Sequence, residues 1–389
     1  MLTIEPTAFE ATITDNLSQH IQDLISQQAG QISFHDFMQA ALYTPELGYY
    51  MNTKPKLGMA GDFITAPEIS PLFGQCLAAQ ISHILSHLKH PVIIEFGAGS
   101  GKLAATLLAS LAQLDCLPEA YYIVEVSGYL KALQYEYLRE TCPQWLTRIH
   151  WLTSLPASCE GVVIANEVLD AMPIHIWQLH AHQVYEYYIH YEQNTWQGKF
   201  HKCLNPRLHQ AVLAIAQSQP ELQHYAGSYI SEANLYIQPW LANIATCLTK
   251  GSVFIFDYGF PRYEYYHLER HQGTLMCHYR HHSHCNPLIL VGLQDITAHV
   301  DFTAVAEAAI NLGYQVSGFT TLAYFLLGSH IHELIQSHTI QATDWQAKQA
   351  IMQLTSPSEM GELFKVIQLT KNLDLQLSGF TLKDMRYRL

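Results

Sequence analysis

The chain has 389 residues, of which 49% are hydrophobic and 14% charged, and its formal net charge is −13 at pH 7. This composition excludes long disordered stretches, and the negative charge argues against a general binder of nucleic acids or anionic membranes. No segment reaches the roughly 18 apolar residues of a membrane span, and the eight scattered cysteines indicate reduced thiols. The N-terminal sequence resembles neither a secretory signal nor a transit peptide, so we expect a cytoplasmic protein.

The first elements of the chain are predicted to be helical. An amphipathic pattern predicts a helix over about residues 14–28. Ser33 and Asp36 then form a variant capping box that opens a second helix through Leu42. The stretch from Tyr43 to Phe73 is too rich in Pro and Gly for a regular element and too aromatic for a solvated linker, so we predict a folded loop there.

Strand and helix patterns alternate from residue 91. Apolar runs that predict strands lie at 92–96, 121–126, 161–166 and 252–259. An amphipathic helix pattern with Leu103 and Leu111 on its apolar face follows the first run. Near-continuous apolar strands separated by helices are typical of a parallel sheet with both faces covered, so we predict an α/β fold.

The alternation is interrupted before the last of these strands. Residues 174–203 alternate polar and apolar side chains with a break near Gln193, which predicts an antiparallel β excursion. Helical patterns at about 206–217 and 234–249 lead back to the sheet. After residue 303 the chain is predicted to be mostly helical, with Gly313 as a helix stop.

The most specific motif follows the first apolar strand, where Gly97, Gly99 and Gly101 precede a helix at every second position. A dinucleotide fold needs G-x-G-x-x-G, and here the third glycine comes one residue early. A phosphate-binding P-loop fails as well, because Phe96 and Leu103 stand where it needs a glycine and a Ser or Thr. The remaining pattern, E-x-G-x-G-x-G, is that of S-adenosylmethionine (SAM) methyltransferases, in which bare backbone approaches the methionine part of the cofactor.

Two carboxylates belong to this predicted cofactor site. Glu95 precedes the glycines and is expected either to bond the ligand ammonium or to hold the loop through its own amides. Glu125 ends the second strand, where an acidic side chain can accept from both ribose hydroxyls. The alternative for Glu125 is an ordinary charge at a strand end.

Polar residues also end the later strands, and in a doubly wound sheet ligands bind at these ends. Asn166 and Glu167 are expected at the tip of the third of these strands, facing the cofactor. If the chain turns helical there, Glu167 and Asp170 lie within about one turn and can clamp a guanidinium and accept its proton. The alternative is a strand-end charge followed by a helix cap. Asp257 and Tyr258 are further candidates for shaping the acceptor pocket.

A histidine-rich run, Cys277 to Cys285, raises the question of a metal site. Its spacing fits neither a zinc finger nor H-E-x-x-H, and in a chain with 23 histidines a local cluster is expected by chance, so we predict no metal. We expect the tyrosines at 49, 50, 265 and 266 to pack rather than to stack on a cofactor.

Several segments together resemble the MidA-like methyltransferases, the family of the mitochondrial complex I assembly-factor arginine methyltransferase. They are FHDFMQAALYTPELGYY, GDFITAPEISPLFG, EFGAGSGKLAATLL, YYIVEVS, VVIANEVLDAMPI, FDYG, GTLMCHYRHH, GLQDITAHVDFT and MGELFKV, in order from about residue 30 to the C-terminus. Two departures are the segment TTLAYFLLGSH, which lacks an expected Thr-Gln pair, and the absence of a mitochondrial presequence, which suggests a bacterial relative.

This resemblance implies a class I SAM methyltransferase with a Rossmann-like sheet. It implies N-terminal helices and an active-site loop over 1–75, and a catalytic core over 76–389. The core would carry an insertion at about 174–250 and extra helices from about 303, all in one integrated unit. The matching cofactor positions are Gly97, Ala98, Gly99, Gly101, Glu125, Val126, Asn166 and Glu167, and the matching active-site loop positions are Asp62, Thr65 and Glu68.

The resemblance further implies symmetric ω-N-dimethylation of an arginine on a protein partner, such as a respiratory complex I subunit. One alternative is a small-molecule N- or O-methyltransferase. Another is an assembly chaperone that binds SAM without catalysis. An oligomer is compatible with the sequence, which does not identify the acceptor.

Overall fold

The computed structural model describes residues 6–56, 65–225, 227–337 and 345–389. The helices in these ranges are α1 (Ala8–Gln27), α2 (Phe34–Tyr43), α3 (Ala66–Ile69), α4 (Pro71–Leu85), α5 (Lys102–Gln113), α6 (Gly128–Thr141), α7 (Pro206–Ser218), α8 (Pro220–Gln223), α9 (Ile237–Cys247), α10 (Arg262–Tyr265), α11 (Phe302–Asn311), α12 (Leu322–Gly328), α13 (Ile331–Ser337), α14 (Trp345–Thr355) and α15 (Met360–Leu363).

The strands in the same ranges are β1 (Ile32–Ser33), β2 (Pro91–Phe96), β3 (Ala120–Val124), β4 (Ile149–Leu152), β5 (Cys159–Asn166), β6 (His175–His180), β7 (Gln183–Glu192), β8 (Thr195–Lys202), β9 (Tyr229–Ala233), β10 (Leu248–Phe260), β11 (Met276–Tyr279), β12 (His282–His284), β13 (Asp295–Thr297), β14 (Val300–Asp301), β15 (Gln315–Thr321) and β16 (Phe364–Lys371). Within the described ranges, no helix has the length and hydropathy of a membrane span.

Two compact units divide the chain and interleave along it. The first comprises the described parts of residues 1–63, 170–236 and 262–299, and the second comprises those of 64–169, 237–261 and 300–389. The boundaries therefore differ from the predicted division at residue 75. The reason is that α1 and α2 join the β excursion in the first unit, whereas α3 and α4 belong to the second.

The second unit is built on a mixed sheet with the strand order β15-β16-β10-β5-β2-β3-β4, and β14 pairs with the end of β10. The five strands from β10 to β4 are parallel to one another, whereas β16 is antiparallel to both of its neighbours. The chain moves outward from β2 to β3 and β4, then returns to place β5 on the other side of β2. The carboxyl ends of β2 and β5 thus form a topological switch point, where open α/β sheets bind ligands. The predicted α/β fold is confirmed.

Helices pack against this sheet through a continuous apolar core. Leu77 of α4, Leu107 of α5, and Ile93, Ile164 and Phe256 of the strands are all fully buried in it. Burying a side chain of this kind stabilises the fold by about 1.5–3 kcal/mol relative to an exposed one. The core therefore holds the strand ends that carry the glycine-rich turn.

The predicted content after residue 303 needs a correction. The extra helices α11 to α15 are present, and α11 ends just before Gly313, whose φ is +82°. However, β15 lies between α11 and α12, β16 follows α15, and both strands join the main sheet. The sequence signal was weak because polar residues such as Lys365 and Gln368 interrupt the apolar run of β16, and because β15 has a register shift at Gly318.

The first unit contains two antiparallel sheets. One has the order β1-β7-β6-β9 with β8 paired to β7, and the other has the order β12-β11-β13. The predicted β excursion is therefore confirmed, and its break is the turn between β7 and β8, where Gln193 and Asn194 have φ of +51° and +59°. Apolar side chains of α1 and α2, including Leu17 and Phe37, are buried in the core of this unit.

The N-terminal helices differ in detail from the prediction. α1 begins six residues earlier than about 14, because Thr7 and Glu10 form a capping box. α2 begins as predicted, with Ser33 Oγ accepting from the Asp36 amide at 3.1 Å, whereas the Asp36 carboxylate contacts the imidazole of His35.

The predicted loop from Tyr43 to Phe73 is wrong at its C-terminal end, where α3 and the start of α4 are helical. Pro67 and Pro71 lie in the first turns of these helices, where the missing N–H costs nothing.

The histidine-rich run forms the hairpin of β11 and β12, with Arg280 and His281 in the turn between them at positive φ. Arg280 donates to the Glu10 carboxylate of α1 at 2.8 Å. Within the described ranges, the one group of three potential metal ligands in close proximity is the exposed set His330, His332 and Glu333, outside this run. Tyr49, Tyr265 and Tyr266 are buried in the first unit, and the Tyr50 hydroxyl donates to Asp295, so all four tyrosines pack as expected.

Candidate active site

The glycine-rich turn joins β2 to α5 at the switch point. Gly97, Gly99 and Gly101 have φ of +63°, +54° and +88°, a left-handed region that side-chain-bearing residues rarely adopt. The Gly97 amide donates to the Val124 carbonyl at 3.0 Å, which ties the turn to β3. A Cβ built on Gly97 would lie in ordinary van der Waals contact with Val168 Cγ2, at 3.6 Å. The three left-handed glycines leave these positions of the turn without side chains at the carboxyl end of β2, where a ligand can approach the backbone.

Glu125 follows the last residue of β3, and its carboxylate is held in place on both sides. Oε1 accepts from the Ser127 amide at 2.8 Å and Oε2 accepts from Gln134 Nε2 at 2.9 Å. Burial raises the pKa of Glu125, and these hydrogen bonds oppose the shift. The Val126 amide is a third donor to this carboxylate, and because a carboxylate can accept about four hydrogen bonds, Glu125 retains capacity for a ribose hydroxyl. Val126 beside it is 64% exposed and offers an apolar surface for a purine ring.

Glu95 is buried at the end of β2, next to the glycines. Its Oε2 accepts from the Tyr121 hydroxyl at 2.7 Å. Burial raises the pKa of Glu95 to about 7, the Tyr121 hydrogen bond opposes this shift, and the negative charge of Glu125 adds to it. The hydrogen bond to Tyr121 is a partner that neither sequence alternative foresaw. Binding of a ligand ammonium by Glu95 stays a prediction.

Glu68 links α3 to the glycine-rich turn. Its carboxylate accepts from Ser100 Oγ and from Lys102 Nζ, the latter at 2.5 Å. The Glu68 side chain is only 8% exposed, whereas that of Lys102 is 40% exposed. Thr65 precedes α3, and its carbonyl accepts from the Glu68 amide at 2.9 Å. The third predicted loop residue, Asp62, lies outside the described residues.

The tip of β5 carries a strained residue. Glu167 directly follows Asn166, the last residue of β5, and has φ of +52°. Its amide donates to the Phe256 carbonyl at 2.9 Å, and its Oε1 accepts from Asn166 Nδ2 at 3.1 Å. A left-handed conformation costs a non-glycine residue about 1–3 kcal/mol, and such strain is concentrated at functional sites. Among the described residues, no donor reaches the buried Asn166 Oδ1.

Asp257 supports this tip from the neighbouring strand β10. It is fully buried, with Oδ2 accepting from the Leu169 amide and Oδ1 from the Tyr258 amide, each at 2.9 Å. These contacts favour a positioning role over direct contact with an acceptor. The Tyr258 ring lies in β10 against Phe364, with ring centroids 4.0 Å apart. A catalytic role of either residue stays a prediction.

Asp170 requires a correction. The helical turn that would place it beside Glu167 is absent, because residues 167–173 form bends and turns. Asp170 begins a segment of the first unit, where its side chain is buried and its carbonyl accepts from the Ala298 amide at 3.0 Å. The assumption that a helix pairs the two carboxylates is therefore wrong.

Sequence reasoning missed Gln134, which is fully buried on α6. Its Nε2 donates to the Gly99 carbonyl at 3.1 Å as well as to Glu125, and its Oε1 accepts from Trp151 Nε1 at 2.9 Å. A signal was present in the sequence: Gln134 stands midway between Leu130 and Leu138 on the apolar stripe of its helix, where a polar residue needs a partner.

A family model described as "Putative S-adenosyl-L-methionine-dependent methyltransferase" matches residues 76–320, more than half of the chain. The chain belongs to this methyltransferase family. It is 28% identical to "Protein arginine methyltransferase NDUFAF7, mitochondrial" of Danio rerio, over 97% of this chain and 94% of that relative. It is 27% identical to the Homo sapiens protein of the same name, over 90% of this chain and 82% of that relative.

A solved structure agrees with the family assignment. A crystal structure of a Burkholderia thailandensis protein bound to S-adenosyl-homocysteine has a TM-score of 0.92 and 36% identity to this chain, and the match covers 99% of this chain and 100% of that one. The protein is therefore a SAM-dependent methyltransferase, and SAM is its cofactor. The three left-handed glycines of the turn and the remaining accepting capacity of Glu125 fit this cofactor.

Proposed function

We propose that this enzyme is a protein arginine N-methyltransferase that produces symmetric ω-N-dimethylarginine on a protein partner. The observation that carries the proposal is Glu167, a carboxylate held in a strained backbone conformation at the tip of β5, next to the strand that ends in the glycine-rich turn. The names of the relatives from Danio rerio and Homo sapiens support the same acceptor.

Methyl transfer to a guanidinium requires cofactor orientation, acceptor binding and proton removal, and different residues of the second unit perform these roles. Bound SAM supplies a methyl group that its sulfonium already activates. The glycine-rich turn and Glu125 orient that cofactor. Because the rate of methyl transfer depends mainly on aligning the methyl group with the acceptor nitrogen, this orientation supplies most of the acceleration. Glu167 binds the acceptor guanidinium through charge-assisted hydrogen bonds. Because methylation of a guanidinium releases one proton, Glu167 also accepts that proton.

The buried Asn166 Oδ1 gives the tip of β5 a second acceptor atom, which no described donor satisfies. A buried acceptor without a partner costs about 1–3 kcal/mol, and a ligand N–H that reaches it recovers this free energy. A guanidinium carries five N–H donors and can bond Glu167 and Asn166 together. A hydroxyl acceptor has a single donor and satisfies one of the two.

The test is the identity of the methylated atom. The purified enzyme is incubated with methyl-labelled SAM and an extract of the cells that produce it, and the labelled products are identified by mass spectrometry. We expect symmetric ω-N-dimethylarginine on protein, with a subunit of a respiratory complex as the first acceptor to examine. Label on lysine, on a small molecule or on a hydroxyl would overturn the arginine proposal.

A non-catalytic assembly role predicts a different pattern. It predicts no labelled product from any fraction of the extract, together with intact binding of S-adenosyl-homocysteine. Calorimetry with S-adenosyl-homocysteine therefore accompanies the labelling experiment, and it distinguishes loss of the methyl acceptor from loss of the cofactor site.

A further inference from the structure

Gln134 occupies a place where a polar side chain is costly. It lies on α6 between Leu130 and Leu138, and its own exposure is 0%. A buried amide without partners costs about 1–3 kcal/mol, so such a residue persists where its hydrogen bonds are fully used. Both Nε2 and Oε1 of the Gln134 amide have hydrogen-bond partners.

The hydrogen bonds of Gln134 join three separate segments. Nε2 donates to the Gly99 carbonyl of the glycine-rich turn at 3.1 Å and to Glu125 Oε2 after β3 at 2.9 Å. Oε1 accepts from the indole Nε1 of Trp151 on β4 at 2.9 Å. The indole N–H can only donate, and the Gly99 carbonyl can only accept, so the orientation of the amide is fixed.

We propose that Gln134 and Trp151 are positioning residues of the cofactor site. Gln134 holds the glycine-rich turn and the ribose-binding carboxylate of Glu125 at a fixed separation, and Trp151 holds the Gln134 amide in the orientation that does so. Without this link, the Gly97–Val124 hydrogen bond still ties the turn to β3, but the separation between Gly99 and the Glu125 carboxylate is less restricted, and the fraction of molecules that can bind the cofactor falls. The apparent dissociation constant rises by the inverse of that fraction.

The link also affects the charge of Glu125. Burial raises the pKa of this carboxyl, and the hydrogen bond from Gln134 opposes the rise. Among the described residues, Glu95 on β2 is in electrostatic contact with Glu125, and burial raises the pKa of Glu95 to about 7. A protonated Glu125 has less capacity to accept from a ribose hydroxyl. Loss of Gln134 therefore weakens cofactor binding more at low pH than at high pH.

The experiment measures the affinity of the full-length enzyme for S-adenosyl-homocysteine by calorimetry at about pH 6 and about pH 8. Gln134→Met keeps the length of the side chain and removes both hydrogen-bonding ends. Trp151→Phe keeps a ring against Tyr135, which packs on Trp151, and removes the indole donor. The matched control is Gln80→Met, which removes another buried bridging glutamine of the same unit, one that bonds Ser378 and Gly379.

We expect Gln134→Met to raise the dissociation constant about tenfold at pH 8 and more at pH 6, since one of the lost hydrogen bonds is to a charged group. Trp151→Phe raises it about threefold, and Gln80→Met leaves it within about twofold. The series is repeated in a Glu95→Gln background, in which residue 95 no longer titrates. A pH dependence that persists there is assigned to Glu125. If Gln134→Met does not fold, the affinities of Trp151→Phe at the two pH values are compared with those of Gln80→Met instead.

Two results would overturn the proposal. One is an unchanged affinity and pH profile in both variants. The other is an equal loss of affinity in Gln80→Met, which would show that removing any buried glutamine of this unit damages the cofactor site. Because the readout is cofactor binding alone, neither result depends on whether arginine is the acceptor.

Discussion

The ends of β3 and β5 lie at the same edge of the main sheet, but their polar groups are satisfied in different ways. At the end of β3, Glu125 accepts from Ser127 and Gln134 and is fixed by the protein itself. At the end of β5, Glu167 is strained at φ +52°, and the buried Asn166 Oδ1 receives no donor from the described residues. The comparison indicates that hydrogen bonds from the protein itself fix the carboxylate at the end of β3. The acceptor side holds strain and an unsatisfied atom that a ligand can relieve.

The largest expected effect tests the acceptor side. Glu167→Gln removes the carboxylate that binds and deprotonates the acceptor, so we expect the rate of methyl transfer to fall at least about a hundredfold. The affinity for S-adenosyl-homocysteine should stay within about twofold, because we propose that Glu167 contacts the acceptor rather than the cofactor. The measurement pairs a labelled-methyl assay with calorimetry. An equal loss in both quantities would show that the two strand ends do not have separate roles.

The second effect tests the cofactor side. Glu125→Gln replaces an anionic acceptor with an amide that can accept at only one atom, so we expect the dissociation constant of S-adenosyl-homocysteine to rise about ten- to a hundredfold. The rate of methyl transfer at saturating SAM should change much less. Glu119→Gln is the matched control, because Glu119 is an exposed carboxylate of the same unit that forms an ion pair with the exposed His90. A fall in the saturated rate with unchanged affinity would contradict the comparison.

How far the sequence predicts this site depends on how local each interaction is. The positions of the glycine-rich turn and of Glu125 at strand ends could be predicted, because they follow from spacing along a strand, a turn and a helix, and the ribose-binding role of Glu125 stays a prediction. The hydrogen bonds from Gln134 to Gly99 and to Trp151 could not be predicted from the sequence, since they depend on the rotation of α6 against two neighbouring segments.

The limits of prediction in the fold have a similar origin. β5 and β10 could be predicted from their apolar runs, whereas Lys365 and Gln368 interrupt the apolar run of β16, and β15 pairs with β16 across about 50 residues of sequence. The link of Glu68 to Ser100 and Lys102 also joins segments more than 30 residues apart.

The third prediction concerns the effect of the buried Glu95 carboxyl on the free energy of unfolding. Burial raises the pKa of Glu95 to about 7 from its ordinary 4.5. The charged form is thus disfavoured in the folded protein: the cost is absent below about pH 4.5, grows as pH rises towards 7 and is fully present above it. We expect Glu95→Gln to stabilise the cofactor-free enzyme by about 2–3 kcal/mol at pH 8 and by little at pH 4.5. Urea unfolding at both pH values measures this difference, and a gain that is independent of pH would exclude ionisation of Glu95 as its cause.

The smallest effect concerns the contact between α3 and the glycine-rich turn. Glu68→Gln and Lys102→Met each weaken the ion pair that holds the turn from the side of α3. We expect each variant to raise the KM for SAM about threefold with little change in kcat, because Lys102 is partly exposed and its contribution is screened. The double variant should be no weaker than either single one, because the partners act through one interaction. Additive losses in the double variant would show that Glu68 and Lys102 act on the cofactor site independently, and that Ser100 alone carries the link to α3.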